Sequence, residues 1–152
     1  MFSLRLPIML LIIFIQFLPV TRAEGILMAR TSMDYESAIQ ALKSSIEAHG
    51  YTVAHVQRCD GGMRGMGYET DNYKTIFFGK YDEITHLSKK FPELIPYFPL
   101  KMAIYAEGNE SVLAILNPIV LGEFIADPEL KIQLQRWHSD IKSVLADMRL
   151  NE

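Results

Sequence analysis

Residues 101–117 read KMAIYAEGNESVLAILN, two largely apolar runs on either side of Gly108 and Asn109. Lys101 to Glu107 and Ser111 to Asn117 are each of strand length, and Gly-Asn is a tight-turn dipeptide. The stretch predicts a β-hairpin. Both strands are rich in apolar residues, so the hairpin is expected at the centre of a sheet.

The flanking segments supply the rest of that sheet and its cover. Asp127-Pro128 is a helix cap followed by proline at the first helical position. Leu130, Leu134, Trp137, Ile141, Leu145 and Met148 then recur at spacings of four or three, which predicts a long amphipathic helix lying on the sheet. Before the hairpin, KTIFFG (74–79) is strand-like. Asp82 is a cap for a short helix with Ile84, Leu87 and Phe91 inward, stopped by Pro92. Pro92, Pro96 and Pro99 punctuate an aromatic connector. Nearer the N-terminus, GILMAR (25–30) reads as a strand, and Ser32 or Asp34 caps a helix whose stripe is Tyr35, Ala38, Ile39, Leu42 and Ile46. Gly50 ends that helix as a left-handed residue, and YTVAHVQR (51–58) is a strand. Residues 61 to 67 hold four of the nine glycines, a density that predicts a loop or a glycine-bent strand end. The predicted order is β-α-β-β-α-β-β-α. This is an α+β domain with a single sheet of about five strands and helices packed on it.

Three pieces of this layout resemble the domain of unknown function 302 family: DYESAIQALKSSIEAHGYTV, FFGKYDEITHLSKKFPEL and FPLKMAIYAEGNESVLAILNP. The last is the most specific, a proline-led strand, an acidic-Gly turn, a second strand and then Asn117-Pro118. The resemblance implies a compact α+β domain of bacteria and archaea, exported in some members, with self-association as an expectation. It implies no established reaction and brings no catalytic residues. Some exported members look like accessory proteins of inorganic sulfur metabolism.

Residues 1–23 read as a secretory signal peptide. Arg5 precedes an apolar run from Leu6 to Val20, and Thr21-Arg22-Ala23 fits a cut before Glu24. The run is short for a membrane span and is broken by Pro7, Gln16 and Pro19. The expected location is therefore periplasmic or secreted, with no stable span after processing. The remaining 129 residues form one domain, residues 24–152, with 13 basic against 18 acidic residues. That acidity argues against nucleic acid and against an anionic lipid surface. Cys59 is the only cysteine, so no intramolecular disulfide framework exists.

The glycine-rich segment is the expected site. The candidate ligand-binding residues are Cys59, Gly61, Gly62, Met63, Arg64, Tyr68, Tyr73, Lys74 and Lys101, with a small molecule or ion held between residues 59–74 and the proline-rich connector. Consecutive glycines expose N–H groups, and Arg58, Arg64, Lys74 and Lys101 supply charge. His55, Cys59, Met63 and Met66 form an alternative soft-metal set, since thiolate, thioether and imidazole suit Cu(I). No phosphate-loop or dinucleotide fingerprint is present. No catalytic residue and no named cofactor emerge. His49 sits at a helix C-terminus, whose dipole it favours; His86 and His138 read as surface histidines. Two functions compete. One is an exported small-ligand-binding or accessory domain without established catalysis, open to forming a homodimer. The other is a thiol- or soft-metal-dependent carrier or enzyme centred on Cys59, linked to sulfur or copper metabolism.

Overall fold

The computed structural model describes residues 24–150. The leader read in residues 1–23 lies outside them, as do residues 151–152. The predicted hairpin is present as β4 (Leu100–Glu107) and β5 (Glu110–Leu116), with Glu107 opposite Glu110 and Met102 opposite Ile115. Gly108 turns the chain at φ +61°, where a side chain would be strained. The hairpin is internal to the sheet, as its two-sided apolarity predicted. β1 (Ile26–Thr31) pairs with β5, and β3 (Tyr73–Gly79) pairs with β4 and with β2 (Thr52–Arg58). The order is β1-β5-β4-β3-β2, antiparallel throughout.

The first and second strands therefore lie on opposite edges. Helix α1 (Tyr35–Ala48) connects them across one face. Its N-cap is Asp34 rather than Ser32: Asp34 Oδ1 accepts from the Ser37 amide at 3.1 Å. The long C-terminal helix α4 (Pro128–Leu150) shares that face. All six residues of its predicted stripe are buried, and Val144 joins them. Against them the sheet sets Leu27, Ala29, Ile76, Phe78, Met102, Ile104, Leu113 and Ile115. Arg149, in the last turn of α4, donates to the Met28 carbonyl at 2.6 Å, which ties that helix end to the edge strand β1.

Three local expectations are corrected. The glycine-rich segment is not a loop throughout: Asp60–Gly65 forms a short helix, α2. Three glycines in six residues weaken a helix by about 1 kcal/mol each, but an anchor at its first residue opposes this. The Asp60 side chain is buried, Arg58 donates to both its oxygens at 3.1–3.2 Å, and Arg64 Nη2 lies 3.1 Å away one turn on. Helix α3 (Tyr81–Lys90) begins one residue before the expected cap, so Asp82 and Glu83 lie in its first turn, where their charge favours the helix dipole. The proline-rich connector is itself a 3-10 helix, Pro92–Tyr97. A second 3-10 helix, Pro118–Glu123, follows β5.

The Asp60 anchor has a measurable pH signature. Hydrogen bonds from Arg58 hold its carboxyl below the usual carboxylate range, with the charges of Arg58 and Arg64 adding to the effect against desolvation. A depressed folded-state pKa means the stabilisation is full above the unfolded value of about 3.9 and is lost as pH falls through the folded one. The amide resonances of Gly61, Gly62 and Gly65 should hold their positions from neutral pH to about 4 and then shift together toward random-coil values. A gradual change centred near pH 6 would contradict the anchor.

Candidate functional site

The two long helices, α1 and α4, lie on one face of the sheet, and the short α2 reaches one end of the other. Strand register lays the other face out in three rows running from β1 to β2. The first is Ile26, Leu116, Lys101, Phe77 and His55; the second is Met28, Ala114, Ala103, Thr75 and Gln57; the third is Arg30, Val112, Tyr105 and Tyr73, extended by Cys59. Ile26, Met28 and Leu116 are exposed large apolar residues. The middle row has small residues at its centre, Ala114, Ala103 and Thr75, and Val112 in the third row is fully buried.

Cys59 continues the β2–β3 ladder through its amide, which donates to the Tyr73 carbonyl at 3.0 Å. Its thiol lies 3.4 Å from Thr75 Oγ1 and donates to the Gln57 carbonyl at 3.7 Å. It is partly buried and unpaired with any other sulfur. Beside it a cleft of about 470 Å³ opens between residues 63–73 and the end of β4. Met63, Tyr73, Ala103 and Tyr105 contribute apolar surface, and Thr70, Asp71, Asn72 and Glu107 contribute polar groups. A larger recess, about 580 Å³, lies between the second 3-10 helix and α4 and includes Ile119, Ile125 and Leu134. None of the candidate ligand-binding or metal-ligating residues read from the sequence lines it. Asp127 at its rim caps α4 through the Leu130 amide at 3.0 Å and pairs with Lys90.

The predicted site residues divide. Cys59, Met63 and Tyr73 gather at one end of the open face, with Arg64, Gly61 and Gly62 on α2 beside them. Met66 and Tyr68 are exposed. Lys101 stands opposite Phe77, and Tyr73 opposite Tyr105. That is a separation of four residues along the strand, roughly 13 Å. The connector leads into β4 at its Lys101 end, whereas residues 59–73 lead into β3 at the opposite end of the same pairing. A ligand bridging the two within one chain is thus not what the register offers. His55 is likewise four residues from Cys59 along β2, with Gln57 between them on the same face and Phe77 beside its ring at 6.0 Å. Among the described residues no group of three or more His, Cys, Asp and Glu is placed to hold a metal ion.

The basic residues singled out in the sequence are all engaged, Lys101 at the far end of β4 from the cleft. Arg58 and Arg64 hold Asp60, Lys74 donates to Glu36 at 2.9 Å, and Lys101 donates to the Pro96 carbonyl at 2.7 Å. The cleft lining contains two carboxylates and no Lys or Arg. This arrangement suits a neutral or cationic molecule with a flat apolar part better than an anion. The tyrosines at 73 and 105 were not recognisable as a pair in sequence, since only the β3–β4 register sets them side by side.

His138 also departs from its surface reading. It is half-buried and bonds through Nδ1 to Asn117 Oδ1 at 2.9 Å. Burial, followed by the charge of Lys142, lowers its pKa. His49 fits its helix-end position and adds a bond to Asp147 at 3.0 Å.

No helix among the described residues is long and apolar enough to cross a membrane. A search of curated proteins finds no match. Among solved structures the chain is similar to an uncharacterized conserved DUF302 protein from Bacillus stearothermophilus. The TM-score is 0.75 at 16% sequence identity, covering 84% of this chain and all of that one. At that identity the likeness shows the fold. The sequence model of the domain of unknown function DUF302 matches residues 28–148, nearly the whole described domain, and the chain belongs to that family.

Proposed function

We propose that this protein is an exported accessory domain without catalysis of its own. It binds a small neutral or cationic molecule at the Cys59 end of the sheet face that α1 and α4 leave open. The observation that carries this reading is the cleft at that end. Two adjacent tyrosines and Met63 offer apolar contact, while Asp71, Asn72, Thr70 and Glu107 offer convergent polar groups. Such a mix of apolar lining and few polar groups is what small-molecule sites share. The export part of the proposal is supported by the leader pattern of residues 1–23.

A fragment screen read by amide NMR tests the site without knowledge of the natural ligand. Hits should perturb residues 70–75 and 103–107 together, and Tyr105→Ala should weaken them about tenfold, the loss of one well-packed aromatic contact. Hits confined to the recess around Ile125 and Leu134, or unaffected by Tyr105→Ala, would sink the proposal.

A further inference from the structure

We infer that the molecule held in the cleft beside Tyr73 and Tyr105 is an organic cation, a tertiary or quaternary ammonium group on a small apolar body. The inference rests on the reading of that cleft as the binding site, and it names the class of molecule bound there.

The backbone sets the two rings. The Cys59 amide bonds the Tyr73 carbonyl, and the Ala106 amide bonds the Asn72 carbonyl, both at 3.0 Å. Tyr73 thus turns its own N–H and C=O toward β2, and Asn72 turns its carbonyl toward β4. Tyr73 and Tyr105 are therefore a non-hydrogen-bonded pair, the kind in which side chains stand closest, with Cβ atoms about 5 Å apart. Both rings are half-buried. Two residues along the same face, Ala103 and Thr75 are too small to fill the space beside them. Met63 lines the cleft from α2. The faces of aromatic rings are electron-rich, so beyond apolar contact they attract positive charge, and alkylated ammonium groups are the cations such ring sets recognise.

The charges at the cleft have the matching sign. Asn72 stands level with Ala106, so Asp71 and Glu107 follow at the same end of the tyrosine pair. Glu107 and Glu110 share one guanidinium, Arg30. Among the described residues the Asp71 carboxylate has no partner. Asp71, Glu107 and Glu110 against Arg30 leave the lip negative. The nearby cations do not offset this. Arg58 and Arg64 are both held by Asp60, Arg64 also donates to the Thr70 carbonyl at 3.3 Å, and Lys74 is paired with Glu36. A bare metal ion would find no ligand group here and would leave the apolar walls unfilled. An alkylammonium satisfies both, its charge toward Asp71 and its alkyl groups on the rings.

Choline and its neutral isostere 3,3-dimethylbutanol, titrated into the purified chain and followed by amide NMR, test this. The two have the same shape, so the difference between them reads the charge. Choline should perturb residues 70–75 and 103–107 and bind about tenfold more tightly than the alcohol. Tyr105→Leu should remove the difference, and Tyr105→Phe, which keeps the ring, should retain most of it. Asp71→Asn should weaken choline about threefold and added salt should weaken it further, with the alcohol unmoved by either. Amide spectra that match the wild type outside the cleft show that the variants are folded. Equal affinity for the two probes, or a preference for choline that survives Tyr105→Leu, overturns the inference. The fragment screen separates it from the site itself: neutral fragments that bind at residues 103–107 while choline shows no advantage overturn the cation alone, whereas choline and fragments that all bind elsewhere, or not at all, overturn the site.

Discussion

Replacing Trp137 by alanine is expected to cost about 3–5 kcal/mol, the range for removing a buried large aromatic. The side chain is fully buried on α4. Its ring meets Phe98 edge-on at 5.7 Å, and its indole N–H donates to Glu83 Oε2 at 2.7 Å. Glu83 is also held by Gln133 at 3.1 Å and by Arg136 at 2.7 Å. One carboxylate of α3 thus gathers three side chains of α4, and Trp137 fills the space beneath them. Alanine removes both the volume and one bond, yet leaves Glu83 its other two partners. The loss should therefore follow the cavity more than an unpaired charge. Trp137→Phe keeps most of the volume and should cost only about 1–2 kcal/mol, for the lost hydrogen bond and the smaller ring. Urea unfolding of both variants decides it, with the midpoint expected to fall in the order wild type, Phe, Ala. Equal losses for Phe and Ala would mean that the indole bond, rather than packing, holds α3 against α4.

This pair of helices shows what could be read in advance. The stripe from Leu130 to Met148 is dictated by burial against a sheet, and a 3.6-residue period exposes that demand directly. The hairpin was legible for a similar reason, since a Gly-Asn turn between apolar runs leaves few alternatives. Helix α2 was not. Its glycines argue locally against a helix, while the interaction that decides the matter joins Asp60 to Arg58 on the preceding strand. Nor could the site be assembled from spacing. Lys101 and Tyr73 belong to adjacent strands, and only the register reveals that they stand at opposite ends of the pairing. The open face was hidden for the opposite reason. Apolar residues on both sides of β4 and β5 predicted a central hairpin correctly, but they say nothing about whether helices or another molecule cover the second side.

Asn117→Ala is expected to cost about 2–4 kcal/mol, because it strands buried polar groups rather than emptying a cavity. The Asn117 side chain is almost completely buried. Its Nδ2 donates to the Glu24 carbonyl at 2.7 Å, and its Oδ1 accepts from the Ile119 amide at 3.2 Å and meets His138 Nδ1 at 2.9 Å. Its own amide donates to the Gly25 carbonyl at 3.0 Å. One side chain therefore joins the entry to β1, the second 3-10 helix and α4. The Asn-Pro that closes the hairpin motif is thus a structural junction, and Pro118 starts the 3-10 helix beneath it. The network also assigns the histidine proton. Because Oδ1 can only accept, His138 must carry its hydrogen on Nδ1. Burial lowers the pKa of that imidazole, so its contribution to stability is full above about 6.5 and is lost as pH falls through the lowered folded value. Asn117→Asp reverses the electrostatics. A carboxylate at the same position stabilises the imidazolium and should raise the His138 pKa above about 6.5, although the Glu24 carbonyl still loses its donor. Following the His138 ring protons by NMR against pH tests both statements. A titration that is the same in wild type and Asn117→Asp would show that the two side chains do not meet, and a loss below about 0.5 kcal/mol for Asn117→Ala would remove the junction itself.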